Sequence, residues 1–315
     1  MLATIQAASN ATFLPERLNL AIARRCFVSC EGCYTHFGLH EPNLNQLLES
    51  AARFFDLGVR NVTISGGDPL TIHNLLDFLD DLRQTGAQSV KLDTVGTYLL
   101  DAPPGERIAA PNNGRHFLSL LLRRLDFLAI PVDGWSNATV SWFRSGRREL
   151  YTETLALLNA IDNMTGYPIV VINTVAHAMN LRGLSLIGEE ILRHPAICHW
   201  NVFQYSPTDQ VSAEINVAYS ITDQLFYSAE KKWCDSTASH SATAKGITTE
   251  FRSVRSRLGQ YLLINSDGMA WVPDERGQTI SLGPVFKNEY QILSEWRRTV
   301  LRLRALRAPA TCDQT

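Results

Sequence analysis

Between residues 17 and 205, six apolar stretches of six to eight residues alternate with segments whose apolar positions recur at helical spacing. A chain patterned this way has few ways to fold. Short strands separated by helices form βα units, and each helix carries the chain back so that consecutive strands pair in parallel. Strands are expected at 17–24, 60–65, 89–95, 126–132, 168–175 and 199–205, with helices at 43–55, 72–85, 115–124, 150–165 and 181–193. Asn43 reads as the cap of the first helix, and Gly58 and Gly86 as the stops of the first two. Six such units predict an α/β fold, a partial (β/α)6 TIM-like barrel, with its chemistry at the C-terminal ends of the strands. Beyond residue 215 the order changes to a helix at 222–233, two short strands within 260–272 and a helix at 287–307. The domains expected are therefore a barrel over 1–215 and a small α+β cap over 216–315.

Hydrophobic residues make up 45% of the chain and charged residues 19%, with a formal net charge of -2. That composition excludes a disordered chain and carries no general nucleic-acid signal. The N-terminal stretch lacks the basic start and apolar core of a signal peptide, and no segment reaches about 18 uninterrupted apolar residues. A cytoplasmic location without membrane or nucleic-acid partners is the expectation. The one basic run, Arg297, Arg298, Arg302, Arg304 and Arg307, reads as a solvated helix face with Val300, Leu301 and Leu303 interleaved as core residues.

Three of the six cysteines fall within eight residues, in Arg25-Cys26-Phe27-Val28-Ser29-Cys30-Glu31-Gly32-Cys33-Tyr34, directly after the first strand. In a chain of this size such packing reads as metal binding, not as a disulfide framework. A four-iron cubane normally takes four thiolates, so three leave one iron with an open position that an amine and a carboxylate can chelate. A zinc site completed by His36 or His40 is the alternative. Cys198, Cys234 and Cys312 are isolated. At the next strand end comes Ser65-Gly66-Gly67-Asp68-Pro69. Two glycines there let a ligand approach the backbone, and Asp68 can hold a ligand ammonium; an ordinary turn has the same composition.

The two loops, at adjacent strand ends of one barrel, resemble the radical S-adenosylmethionine (SAM) superfamily, and the resemblance spans residues 17 to 205. It implies that Cys26, Cys30 and Cys33 ligate a [4Fe-4S] cluster, and that Gly66, Gly67 and Asp68, a variant of the family's Gly-Gly-Glu-Pro, orient the methionyl amine. It also implies electron transfer into the SAM sulfonium, which gives methionine and a 5′-deoxyadenosyl radical, and an electron donor such as flavodoxin or ferredoxin. Gly32 departs from the pattern, since the family usually places an aromatic before the third cysteine; here Tyr34 follows it and becomes the candidate at the SAM site. Arg144 is a candidate for the SAM carboxylate or ribose, with a surface role, or replacement by Arg147 or Arg148, as alternatives. Asn173 and Gln204 fall at strand ends, where an amide can meet SAM or satisfy strand-end backbone. Asp133 beside Gly134 reads as a turn.

The later order, LDFLAIPVDGWSNATVSWFRSGR, VVINTVAHAMN and HWNVFQYSP, resembles viperin and its relatives, which also resemble the molybdenum-cofactor biosynthesis radical SAM enzymes. Unlike viperin-like enzymes that act on a triphosphate, the strands VVINTV and HWNVFQ carry no lysine or arginine. A polyanion without matching cations is costly in a closed site, which disfavours a triphosphate. The tail from Arg255 to Gly283 resembles short radical SAM proteins of natural-product pathways and lacks a cysteine-rich extension. Arg255 and Arg257 within it read first as surface residues and second as reaching a substrate carboxylate. The function expected is hydrogen abstraction from a small-molecule substrate of nucleoside or sugar-acid type, such as a decarboxylation. Radical modification of a ribosomal peptide, viperin-like nucleotide dehydration and a zinc-binding regulatory protein are the alternatives. Cys30→Ala is expected to abolish both cluster retention and SAM cleavage, and Cys234→Ala to leave both; iron content and 5′-deoxyadenosine yield measure this.

Overall fold

The computed structural model describes residues 13–34, 43–100, 114–286 and 288–305. The strands are β1 Arg17–Ala23, β2 Ser29–Cys30, β3 Asn61–Gly66, β4 Ser89–Asp93, β5 Phe127–Pro131, β6 Arg144–Ser145, β7 Ile169–Ala176, β8 Ile197–Gln204, β9 Thr248–Arg252, β10 Tyr261–Ile264, β11 Met269–Pro273 and β12 Thr279–Pro284. Ten of them form one sheet in the order β12-β11-β10-β1-β3-β4-β5-β7-β8-β9, and β2 pairs with β6 in a ribbon of its own. From β10 to β9 every neighbouring pair is parallel, while β11 and β12 join antiparallel at one edge. The helices Leu44–Asp56, Leu75–Gln84, Gly114–Leu122, Leu150–Asp162 and Leu184–Ile191 fall where the spacing predicts them. Asn43 caps the first, its Oδ1 accepting from the Gln46 amide at 3.1 Å.

The strands are two-faced. Leu18, Leu20, Ile22, Val62, Ile64, Val90, Leu92, Leu128, Ile130, Val170, Ile172, Trp200 and Val202 are no more than 1% exposed and belong to the main hydrophobic cluster, which also takes in the helices' buried faces. Each such side chain contributes about 1.5–3 kcal/mol through removal of apolar surface from water. The alternate positions carry Asn19, Thr63, Ser65, Lys91, Asp93, Asn173, His199 and Asn201. A parallel strand with period-2 patterning puts these on one shared face, opposite the helix layer. Strand register sets Asn19 beside Thr63, Thr63 beside Lys91 and Asn173 beside Asn201, so this inner face is polar across the sheet.

Two features lie beyond what the pattern predicts. β9, Thr-Thr-Glu-Phe-Arg, pairs in parallel with β8 and lengthens the sheet from within the C-terminal segment. β10 does the same on the far side of β1, so residues beyond 215 supply strands to both edges of the barrel sheet. No backbone ladder joins β9 to β10; the seam is spanned by side chains, with Arg252 Nη1 donating to the Tyr261 hydroxyl at 2.8 Å. At the foot of β1, Arg17 donates to the Val62 carbonyl and to Ser89 Oγ and lies 5.2 Å from the Phe127 ring centre. The helix Glu289–Ala305 buries Val300 and Leu303 but leaves Leu301 53% exposed, which corrects its assignment to the core: at helical spacing residue 301 turns away from the face that 300 and 303 share. Arg307 lies outside the described residues. Among the described residues no helix is long and apolar enough to cross a membrane.

Trp200 packs edge-on to Trp233, ring centres 4.8 Å apart, and donates its indole N–H to Thr174 Oγ1 at 2.9 Å. Trp200→Ala is expected to cost about 3–5 kcal/mol, measured by chemical denaturation, because it opens a cavity between sheet and helices and removes the indole N–H from Thr174 Oγ1, which keeps its bond to the Val132 carbonyl.

Candidate active site at the barrel mouth

β1 ends at Ala23, and the cysteine loop begins immediately. Three separate ties hold that loop. The first is backbone to backbone: Gly67 N donates to the Ala23 carbonyl at 2.7 Å and Asp68 N to the Arg25 carbonyl at 2.6 Å. Glycine is required for this approach. A β-carbon on Gly67 would lie 2.0 Å from the Arg25 carbonyl oxygen, and Gly66 has φ +131° with its missing β-carbon 2.4 Å from the Ala23 carbonyl oxygen. The second tie is the β2–β6 ribbon, which pairs Ser29 with Ser145 and Cys30 with Arg144. The third runs through Glu31: its N–H donates to the Phe143 carbonyl at 3.2 Å, and its carboxylate accepts from the Tyr219 hydroxyl at 3.0 Å.

Cys26, Cys30 and Cys33 are free thiols in this loop, with the Cys33 N–H turned onto the Cys30 carbonyl at 3.2 Å. Cys30 has a specific partner. Arg144 Nη1 donates to its Sγ at 3.1 Å, while Arg144 Nε engages the Asp133 carboxylate. Asp133 is fully buried, and its other oxygen accepts from the Val175 N–H at 2.6 Å. Burial pushes the Cys30 thiol up, and the Arg144 guanidinium pulls it back down. Enclosure alone would lower the Arg144 pKa; the Asp133 carboxylate and the Cys30 sulfur outweigh it and raise the pKa instead. Cys26 keeps an open side, yet surrounding protein first and Asp68 second push its thiol up to about 12. Such thiols ionise readily only against a compensating positive charge, which Arg144 provides at Cys30 and which a metal cluster held by the loop would provide to all three. Among the described residues no three Cys, His, Asp or Glu side chains converge on one ion. Three free thiols in one loop supply three of the four thiolates that a cubane takes, so the chemistry of the donor set fits a cluster. His36 and His40, the fourth ligands considered for zinc, lie outside the described residues.

The remaining sequence candidates separate by location. Asp68 is 1% exposed, and its carboxylate accepts from Leu70 N at 2.9 Å, Thr94 Oγ1 at 2.8 and 2.9 Å and Val95 N at 2.8 Å, pinning the end of β3 to that of β4. Burial nevertheless pushes it up to about 6. Asn173 sits on the inner face, its Oδ1 accepting from Asn201 Nδ2 at 3.1 Å. Gln204 points to the opposite face, where its amide bonds Ile221, Asp223 and the Val254 N–H. Tyr34 stays 46% exposed, with its ring 6.5 Å from Trp271, and lines a small cavity with Asn19, Ala21, Ser65 and Leu263. Arg147 instead pairs with Glu153 at 2.5 Å and donates to the Tyr98 hydroxyl at 2.9 Å.

Sequence reasoning missed an aromatic block behind the third cysteine. Phe143, His177, Tyr205 and Tyr219 pack with ring centres 5.2 to 6.2 Å apart. A β-carbon on Gly32 would meet Tyr205 at 2.5 Å and Phe143 at 2.9 Å, so rings from distant segments occupy the space that a side chain before Cys33 would need. Glycine at 32 was the visible signal, but which rings fill its place depends on β8 and the segment 137–143.

Gly67→Ala is expected to cost about 1–3 kcal/mol through forced overlap and to displace the loop, so that reconstituted protein retains little iron. Gly166→Ala, whose methyl meets open space but whose φ of +71° strains a side chain far from the cysteine loop, is expected to lose stability yet retain iron as the unaltered chain does; iron and sulfide analysis compares the two.

No protein-family profile matches the chain. A curated relative, the probable GTP 3′,8-cyclase of Methanothermobacter marburgensis, is 30% identical over 87 residues, 27% of this chain and 28% of that protein. Among solved structures, anSMEcpe with bound AdoMet and Cp18Cys peptide superimposes with a TM-score of 0.65 at 13% identity, covering 90% of this chain and 82% of that one. Streptococcus suis SuiB bound to precursor peptide SuiA gives a TM-score of 0.61 at 12% identity, covering 85% of this chain and 64% of that one. This chain thus spans just over a quarter of the curated relative's length and just under two thirds of SuiB's. Both solved proteins are radical SAM enzymes. With its parallel strands, its cysteine loop after the first of them and this superposition, the chain has the partial-barrel fold of the radical SAM enzymes.

Proposed function

We propose that this chain is a radical SAM enzyme that binds a [4Fe-4S] cluster through Cys26, Cys30 and Cys33 and acts on a small polar metabolite of nucleoside or sugar-acid type. The observation that carries the reading is the contact of Arg144 Nη1 with Cys30 Sγ, backed by the buried Asp133. It gives one of three clustered free thiols a fixed, charged donor at the mouth of a polar-lined barrel. One-electron cleavage of SAM, supplied by the cluster when bound, yields methionine and a 5′-deoxyadenosyl radical that takes hydrogen from substrate.

The residues of this chain then have distinct tasks. Cys26, Cys30 and Cys33 anchor the cluster, and Arg144 steadies the negative charge on the Cys30 sulfur. Gly66 and Gly67 keep the loop against the ends of β1 and β3. Asn173 and Asn201, one above the other's strand on the inner face, offer amide donors and acceptors to a bound polar molecule. Arg17 over Phe127 closes the floor of the barrel, and the apolar outer layer excludes water from below. Reducing equivalents come from an electron donor such as flavodoxin or ferredoxin.

Peptide modification is the second reading, favoured by the fact that the compared structures of SuiB and anSMEcpe hold peptides. Against it, the three loop cysteines are the chain's one cluster motif. Anaerobically reconstituted protein is expected to hold about four irons and, once reduced, to convert SAM to 5′-deoxyadenosine that gains deuterium from a labelled nucleoside or sugar acid. Deuterium arriving only from a peptide would replace the first reading with the second, and protein holding zinc without iron would overturn both.

A further inference from the structure

The sequence places Arg255 and Arg257 two residues apart, and the structure sends them to different places. Arg255 is exposed, 3.6 Å from Asp223. Arg257 instead lies with its guanidinium carbon 5.3 Å from the ring centre of Phe203. Phe203 pairs in register with Val175 and Arg252 and alternates with the core residue Val202, which fixes it on the inner face. Arg257 donates Nε to the Ser253 carbonyl at 3.3 Å and Nη2 to the Gln204 carbonyl at 2.5 Å. Among the described residues no carboxylate lies within ion-pair distance of it, and its Nη1 has no hydrogen-bond acceptor.

Its neighbours on the inner face are balanced. Lys91 pairs with Asp93 at 2.9 Å, and Arg252 with Glu250 at 2.5 Å. Arg17 lacks a carboxylate too, but it sits at the floor with its donors on Val62 and Ser89. Arg257 is thus the inner cation that is both uncompensated and placed at the β8 end of the seam. Enclosure lowers its pKa to about 10, the direction expected for a cation whose lost hydration no anion replaces.

We infer that Arg257, seated on Phe203 of β8 beside the seam between β9 and β10, is the recognition point for one carboxylate of the substrate. A guanidinium held by Nε and Nη2 keeps Nη1 for a ligand, and a carboxylate both matches it and restores the charge balance of the wall. One uncompensated cation calls for one negative charge. The inner positions of β7 and β8, Val171, Asn173 and Val175 with His199, Asn201 and Phe203, add no lysine or arginine, and the inner cations Lys91 and Arg252 are already paired with Asp93 and Glu250, so among the described residues nothing beside Arg257 is left to meet further negative charges. The inference deepens the small-metabolite reading and rests on it for the identity of the occupant as substrate.

Equilibrium binding to the anaerobically reconstituted, SAM-loaded full chain tests it, with D-glucuronate, its neutral methyl ester and D-glucose 6-phosphate as probes. The acid is expected to bind at least about tenfold more tightly than the ester, a preference lost in Arg257→Gln and kept in Arg255→Gln. Arg257→Lys, which keeps the charge without the fork, is expected to retain part of the preference and decides the matter if the glutamine variant melts abnormally. Equal binding of acid and ester by the unaltered chain, tighter binding of the phosphate, or a preference that survives in Arg257→Gln would overturn the inference. Cluster absorbance and SAM cleavage, read in the same samples, report separately on the radical SAM reading: their absence would sink that reading while the acid-to-ester ratio still judged Arg257.

Discussion

Asp133 has no exposed surface, and its carboxylate divides between two partners, the Val175 N–H at the end of β7 and the Arg144 guanidinium. Arg144 in turn reaches Cys30. Burying a charge with no partner is costly, because the protein interior repays little of the lost hydration. Paired and hydrogen-bonded it is tolerated, and removal of either partner from such a buried pair typically costs about 3–5 kcal/mol. The chain from Asp133 through Arg144 to Cys30 therefore converts the rigidity of a strand end into the placement of a sulfur. The β2–β6 ribbon is too short to hold itself, and the Arg144 side chain ties it both across to Cys30 and back to Asp133 beyond β5.

Gly66 and Gly67 complete the restraint from the other side. Their missing β-carbons bring β3 to within hydrogen-bonding distance of Ala23 and Arg25, so the loop is pinned at its root as well as at Cys30. Asp68 reads from sequence as a ligand for an ammonium group, and its carboxylate is taken up by Leu70, Thr94 and Val95. The motif thus shapes the mouth of the barrel by joining three consecutive parts of it: the cysteine loop, β3 and β4.

The barrel wall separates its two jobs by face. The outer face is predominantly apolar and carries stability, and the inner face is polar and nearly charge-balanced. Because β9 and β10 meet through Arg252 and Tyr261 and not through a ladder, the wall has a seam where side chains meet directly. Arg257 sits beside that seam. The least regular part of the barrel is accordingly also where its electrostatics are least satisfied.

Period-2 and helical apolar patterns, the cap at Asn43, and the cysteine and Gly-Gly spacings are local properties, and through them the sequence by itself determined the six βα units, their order and the two loops at the mouth. Leu18, Leu20 and Ile22 announce a strand wherever they occur. The tertiary structure alone decided the rest. β9 is polar and charged, so only its register beside β8 makes it a strand, and Gln204 left the inner face because, two residues beyond Val202, it shares that residue's outward phase. Arg144 lies 114 residues from Cys30 and meets it only once the sheet has curved. Arg255 and Arg257 are indistinguishable as letters, and a single turn of helix sends one to solvent and the other over Phe203. Contacts of this kind depend on where distant backbone comes to rest, and no local pattern encodes that.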